Sequence, residues 1–243
     1  MIPFFRKIRK KMADDNRPVK YARYAIGEII LVVIGILIAL QINTWNADKK
    51  ARELEYLTLI ELKKNIDTDL KEMGRLKVLM ERRVLSMQLV LDELASDRTY
   101  QDSIAVHFGR AMVYDDMGFH KGIYESIKFS GGQLINDNNL RFEINNFYDY
   151  YVTDMEGAFI ELRDDFYNYM LTFLREEFKY YESIEPRAIP IDFESMKQNQ
   201  NFKLSLGVFM DLQKMSMRKM DKTVKASSDL LTKINQRLDK IEK

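Results

Sequence analysis

Apolar and polar positions divide the chain into two regimes. Of the eighteen residues 25–42 only Glu28 and Gln41 are polar, and 29–40 are apolar without interruption. A helix of that length covers about 27 Å, close to the hydrocarbon thickness of a bilayer. No later stretch approaches it. From about residue 46 the pattern becomes periodic: Leu59, Leu62, Ile66, Leu70, Met73, Leu76, Met80, Val84, Met87, Leu91 and Leu94 recur every three or four positions. That spacing predicts one long helix with a single buried stripe, over about 46–94.

Proline and glycine place the remaining boundaries. The prolines stand at 3, 18, 186 and 190, so nothing between 19 and 185 carries an obligatory helix breaker. After a break at about 95–102, Asp102 and Ser103 are read as caps for a shorter helix through Val113. A short helix at 123–129 stops at Ser130-Gly131-Gly132, and Asn136, Asp137, Asn138 and Asn139 offer N-caps to the next, predicted over 140–181. A proline-bearing linker, 183–198, leads to a last helix over 201–241, with Met220, Val224, Leu231, Ile234, Leu238 and Ile241 as its apolar seam. The fold class is therefore all-α: one N-terminal transmembrane helix followed by an elongated bundle of long antiparallel helices. The expected divisions are a basic segment 1–24, a transmembrane helix 25–45 and a helical domain 46–243.

Charge sharpens this picture. Residues 1–24 carry eight basic groups against Asp14 and Asp15. Tyr21 and Tyr24 before the apolar run, and Trp45 after it, stand where interfacial aromatic anchors belong. A core helix of a soluble protein leaves the adjacent basic block without a reason. A cleaved secretory signal needs small residues at the cut, whereas Leu37 or Trp45 would lie three positions back. A single span is thus expected, with the basic N-terminus cytoplasmic and the C-terminal domain across the membrane, periplasmic in a bacterium. Glu28 either reaches back to the headgroups or is paired within the membrane. Glu28, Val32, Gly35 and Ala39 share one helical stripe, and Gly35 with Ala39 permits close backbone approach, so this face is a candidate for packing against another transmembrane helix.

In the soluble part, 137–194 holds fourteen acidic against five basic residues, and 203–243 holds ten basic against five acidic. Two such neighbours attract along their rims. The acidic helix also carries thirteen of the chain's 28 aromatics, read chiefly as core and alternatively as a site for an organic cation.

The 243-residue chain is 46% hydrophobic, with a net charge of +1 and no cysteine. This excludes a disulfide scaffold, a thiolate zinc site and a thiol nucleophile, and argues against a nucleic-acid-coating protein. His107 and His120, thirteen apart, match no metal-ligand spacing. Ser130-Gly131-Gly132 lacks the ending of a phosphate loop, and the adjacent pairs Asp115-Asp116 and Asp164-Asp165 splay by about 100° on a helix. No catalytic, cofactor or metal-binding residue is assigned, and enzyme is the unfavoured class.

Residues 24–46, YAIGEIILVVIGILIALQINTWN, preceded by FFRKIR at 4–9, closely resemble the start of a family of uncharacterised single-pass membrane proteins from Bacteroidota. The stretch YESIKFSGG at 124–132, with Leu134, Ile135, Asn136, Asp137, Leu140 and Arg141 after it, looks like that family's central motif. The resemblance implies an inner-membrane anchor with an extracytoplasmic helical domain and supplies no reaction or cofactor. The expected function is an interaction module contacting the lipid bilayer and either a protein partner or its own copy through the transmembrane helix. The alternative is a ligand-binding sensory subunit using the aromatic helix.

Overall fold

The computed structural model describes residues 18–241, with side chains described from residue 22. It is all-α apart from one small hairpin. The first helix, α1, runs Pro18–Leu94 without a break at Trp45, and the chain divides into two compact units at Leu54 and Glu55. Among the described residues the first unit consists of this helix. Pro18 sits at its start, where a missing N–H costs nothing, and the apolar run that follows is exposed throughout.

The second unit holds the core. Its part of α1 buries Leu59, Leu62, Ile66, Met73, Leu76, Met80, Met87 and Leu94, the stripe that the periodicity predicts, with Leu70, Val84 and Leu91 at its margins. The last helix, α8 (Gln200–Ile241), runs antiparallel to α1. Lys63 donates to Asn235 (2.8 Å), Lys77 meets Asp221 (2.5 Å) and Arg237 meets Glu55 (2.9 Å), so numbers rise on one helix as they fall on the other. The expected seam is found, shifted slightly: Met220, Leu230, Ile234 and Leu238 are buried, while Val224 and Leu231 are only partly so.

Between them lies a helical run in five segments: α4 (Asn138–Asn146), a π-helical turn (Phe147–Val152), α5 (Thr153–Asp165), a second π-helical turn (Phe166–Met170) and α6 (Leu171–Glu177). Asp137 caps it by accepting from the N–H groups of Asn139 (3.0 Å) and Leu140 (3.1 Å). Its acidic rim meets basic α8 through Glu143–Lys233 (2.6 Å) and Asp154–Lys219 (2.9 Å). This run is also antiparallel to α8, so it lies parallel to the α1 segment of the unit.

Two parallel neighbours need a return path, which 112–136 supplies. It descends beside α1 through Asp115–Arg83 (2.6 Å), His120–Asp69 (2.5 Å) and Asn136–Glu55 (2.9 Å). On its other flank it ties to the central run through Lys121–Glu156 (2.8 Å) and Lys128–Asp149 (3.1 Å). The path is extended at first and then forms α3 (Gly122–Phe129), which ends in Gly131 (φ 61°) and Gly132 (φ 85°). A left-handed backbone at both is what stops the helix there.

Three boundaries differ from the sequence reading. Asp102 and Ser103 open a single 3₁₀ turn, and α2 (Ala105–Ala111) follows it directly and ends before Val113. The Asp102 carboxylate is held by Arg187 (2.5 Å) and caps nothing. The helix predicted to Tyr181 ends at Glu177, because Phe178–Glu182 (β1) pairs antiparallel with Arg187–Pro190 (β2), Tyr181 opposite Ala188. Aromatic residues favour a pleated surface, and Pro186 and Pro190 prevent a helix from running through 186–190. The expected linker thus contains a strand and a short helix, α7 (Phe193–Gln198). The hairpin lies on α2, where a Cβ at Gly109 would collide with the backbone of Pro186 and Arg187.

Candidate functional site

Within α1 an 18-residue window reaches a mean hydropathy of 2.6 with none of it buried, making this a helix long and apolar enough to cross a membrane. Tyr24 and Trp45 are both exposed at its two ends, while the side chains of Tyr21 and of the basic residues from Arg6 to Lys20 lie outside the described residues. Thr44 turns its hydroxyl back to the carbonyl of Leu40 (3.0 Å), so a polar group near Trp45 is satisfied within the helix. Val32 is exposed, a Cβ on Gly35 would meet nothing within 4 Å, and Glu28, partly covered, is engaged with a partner. The stripe of Glu28, Val32, Gly35 and Ala39 therefore presents a narrow open face.

The aromatic helix divides its rings between core and surface. Phe147, Tyr148, Phe159 and Phe166 are buried, as is Phe178 just beyond it, whereas Phe142, Tyr150, Tyr167 and Tyr169 are exposed. Each π-helical turn begins on an aromatic doublet: in the first both Phe147 and Tyr148 are buried, whereas in the second Phe166 is buried and Tyr167 exposed. Tyr148 then stacks on Tyr124 of α3 (4.3 Å, 10°), and burial together with nearby Asp69 pushes its phenol strongly up. The carbonyls beside the first widened turn accept from side chains: Thr153 donates to Tyr148 (3.1 Å) and Thr223 of α8 to Tyr151 (3.3 Å).

The stretch 124–132 acts as a clasp for the return path. Tyr124 and Ile127 are buried, Lys128 lies 5.5 Å over the Tyr124 ring, and Ser130 bonds the Ile127 carbonyl (2.7 Å). Arg141 closes the turn by donating to the carbonyls of Gly132 (3.0 Å) and Ile135 (3.3 Å).

The other chemical candidates hold structural positions. His120 receives Asp69, and His107 lies 3.1 Å from the buried Ser86 hydroxyl, its basicity lowered by burial and by Arg110. Asp115 is taken by Arg83, and Asp164 by Arg163 (3.2 Å). Among the described residues no cluster of three acidic or histidine side chains is arranged to hold a metal ion.

One grouping was missed in the sequence. Tyr150 and Tyr151 stand over a groove of about 370 Å³ whose opposite wall is α8, with Lys219, Lys222 and Lys225 along it. The basic character of α8 was legible, and fits either a rim for the acidic helix or contact with an anionic membrane surface. The overlooked signal is that Lys222 has no acidic residue three or four positions away.

The model of a family of unknown function, DUF6090, matches residues 28–170, more than half of the chain. The match takes in the apolar face from Glu28, the clasp and both π-helical turns. No curated protein and no solved structure matches the chain.

Proposed function

The chain belongs to the family of unknown function DUF6090, and we propose that it is a membrane-anchored interaction module of the bacterial envelope, without catalytic activity of its own. The observation that carries the reading is the uncovered apolar length of α1, which a bilayer would cover. The span holds the protein in the inner membrane by one pass, with the basic N-terminus cytoplasmic and the helical domain periplasmic. Association runs through the Glu28–Val32–Gly35–Ala39 face, against its own copy or a partner's helix. The non-catalytic assignment is supported by the engagement of both histidines and of Asp115 in ties between elements.

Gly35→Leu should abolish association in a membrane two-hybrid assay while leaving membrane insertion intact, and unchanged association would overturn the face. Crosslinking in native membranes through a C-terminal tag, followed by mass spectrometry, should recover a stoichiometric partner or the chain itself. A membrane-impermeant amine reagent should label lysines of α8 in spheroplasts. Labelling confined to lysines 7–20 would reverse the orientation.

A second reading, a ligand-binding sensory subunit, is favoured by one observation: the groove between the first π-helical turn and α8.

A further inference from the structure

The aromatic, acidic helix suggested an organic cation as ligand, but the groove beside it has the opposite character. Asp154, one of two carboxylates lining the groove, is already neutralised by Lys219 (2.9 Å), which also donates to the Asp154 carbonyl (3.3 Å). Lys222 and Lys225 are exposed and have no ion-pair partner among the described residues. Set against the remaining carboxylate, Asp229, they leave the lining with an excess of positive charge, which draws an anion rather than a cation.

The rings provide the second half of a site. Tyr150 and Tyr151 stand nearly perpendicular, centroids 5.0 Å apart at 83°, forming a corner in which Tyr150 is exposed. The Thr223 hydroxyl, 3.0 Å from the Lys219 carbonyl and 3.3 Å from that of Tyr151, links the backbone beneath this corner to α8. A volume of about 370 Å³ lies at the lower end of the usual range for small-molecule sites, about 300–1,000 Å³.

We infer that this groove binds an anionic saccharide, its ring stacked on the Tyr150–Tyr151 corner and its carboxylate or phosphate held by Lys222 and Lys225. Asp229, which also lines the groove, accepts hydrogen bonds from sugar hydroxyls. The inference rests on the second reading above only in requiring a ligand. It concerns the Glu55–Lys243 unit alone and stands whether or not the membrane face associates.

The test is calorimetric titration of the full-length protein in detergent with trigalacturonate and sialyllactose, beside uncharged maltotriose, inorganic phosphate and a thymidine trinucleotide. Saturable binding of either acidic sugar, about tenfold tighter than maltotriose or phosphate, is expected. Tyr150→Ala and Lys222→Glu should each weaken it about tenfold, with Lys222→Arg restoring it. Both positions are exposed, and unchanged circular dichroism verifies that the variants fold. Binding of neither acidic sugar would overturn the proposal, as would equal binding of maltotriose. Tighter binding of phosphate alone would make this a simple anion site, and tighter binding of the trinucleotide a nucleic-acid one.

Discussion

Gln213 lies inside α8 with no exposed surface, and neither atom of its amide has a hydrogen-bond partner. A buried amide left unpaired costs roughly 1–3 kcal/mol, so Gln213→Leu, similar in volume, should raise stability by about that amount in urea unfolding followed by circular dichroism. A lower midpoint would mean that the amide is satisfied in solution. Asp137 has the opposite standing. The N–H of Leu140 holds its carboxyl below its usual value of 3.8 against the opposing effect of burial, helped by the N–H of Asn139 and the charges of Arg237 and Lys240. A lowered carboxyl contributes stability above that usual value, and the contribution disappears as pH falls through the folded value. Asp137→Ala should therefore cost about 1 kcal/mol at pH 7, and wild type and variant should converge below about pH 4. A difference persisting in acid would mean that the cap acts through something other than its charge. At this scale the sequence was informative for apolar residues and caps beside turn signals, since both follow from local pattern. It was silent on Gln213, because nothing in the neighbouring residues distinguishes a buried glutamine from a solvated one.

Helical elements were legible wherever spacing alone decides them. The stripe of α1 and the stop at Ser130-Gly131-Gly132 lie where periodicity and glycine place them. The hairpin was not legible, because Phe178, Tyr180 and Tyr181 continue a helical-looking aromatic series and become a strand only through pairing with residues 187–190. That pairing is stabilised from outside, by Phe108 against Phe178 (5.3 Å, 69°) and by the close passage of β2 over Gly109. Gly109→Ala should thus separate the hairpin from α2, at a cost of about 1–3 kcal/mol. Hydrogen exchange should then show faster exchange in 178–190 and unchanged rates in α1 near Met73; uniform loss of protection would instead make Gly109 a core residue of the whole bundle. The π-helical turns escaped the reading because the three-four rhythm does not distinguish a widened turn from a regular one; each begins on an aromatic doublet, Phe147-Tyr148 and Phe166-Tyr167.

For the whole molecule, every buried residue of the described core lies in the Glu55–Lys243 unit. A chain of residues 55–243 should be soluble without detergent and unfold in one cooperative transition, with helical circular dichroism retained. Aggregation or a non-cooperative melt would show that the two units depend on each other for folding. All-α class and a membrane-type first helix were readable from hydrophobic pattern. The parallel arrangement of the α1 segment and the α4–α6 run was not, since it depends on a return path whose extended part carries no periodic signal.

The pairing of Glu55 with Arg237 sets an order of events during synthesis. Glu55 is wholly buried, and Arg237, which holds it through two hydrogen bonds of 2.9 Å, follows 182 residues later. A ribosome delivers the acid long before its counter-charge. Until α8 emerges, the growing chain exposes the apolar stripe of α1 and the buried rings of α4–α6 without the helix that covers them. The nascent protein is therefore open to misassociation in the interval before α8 appears, and a ribosome stalled ahead of α8 leaves a product that cannot close this core.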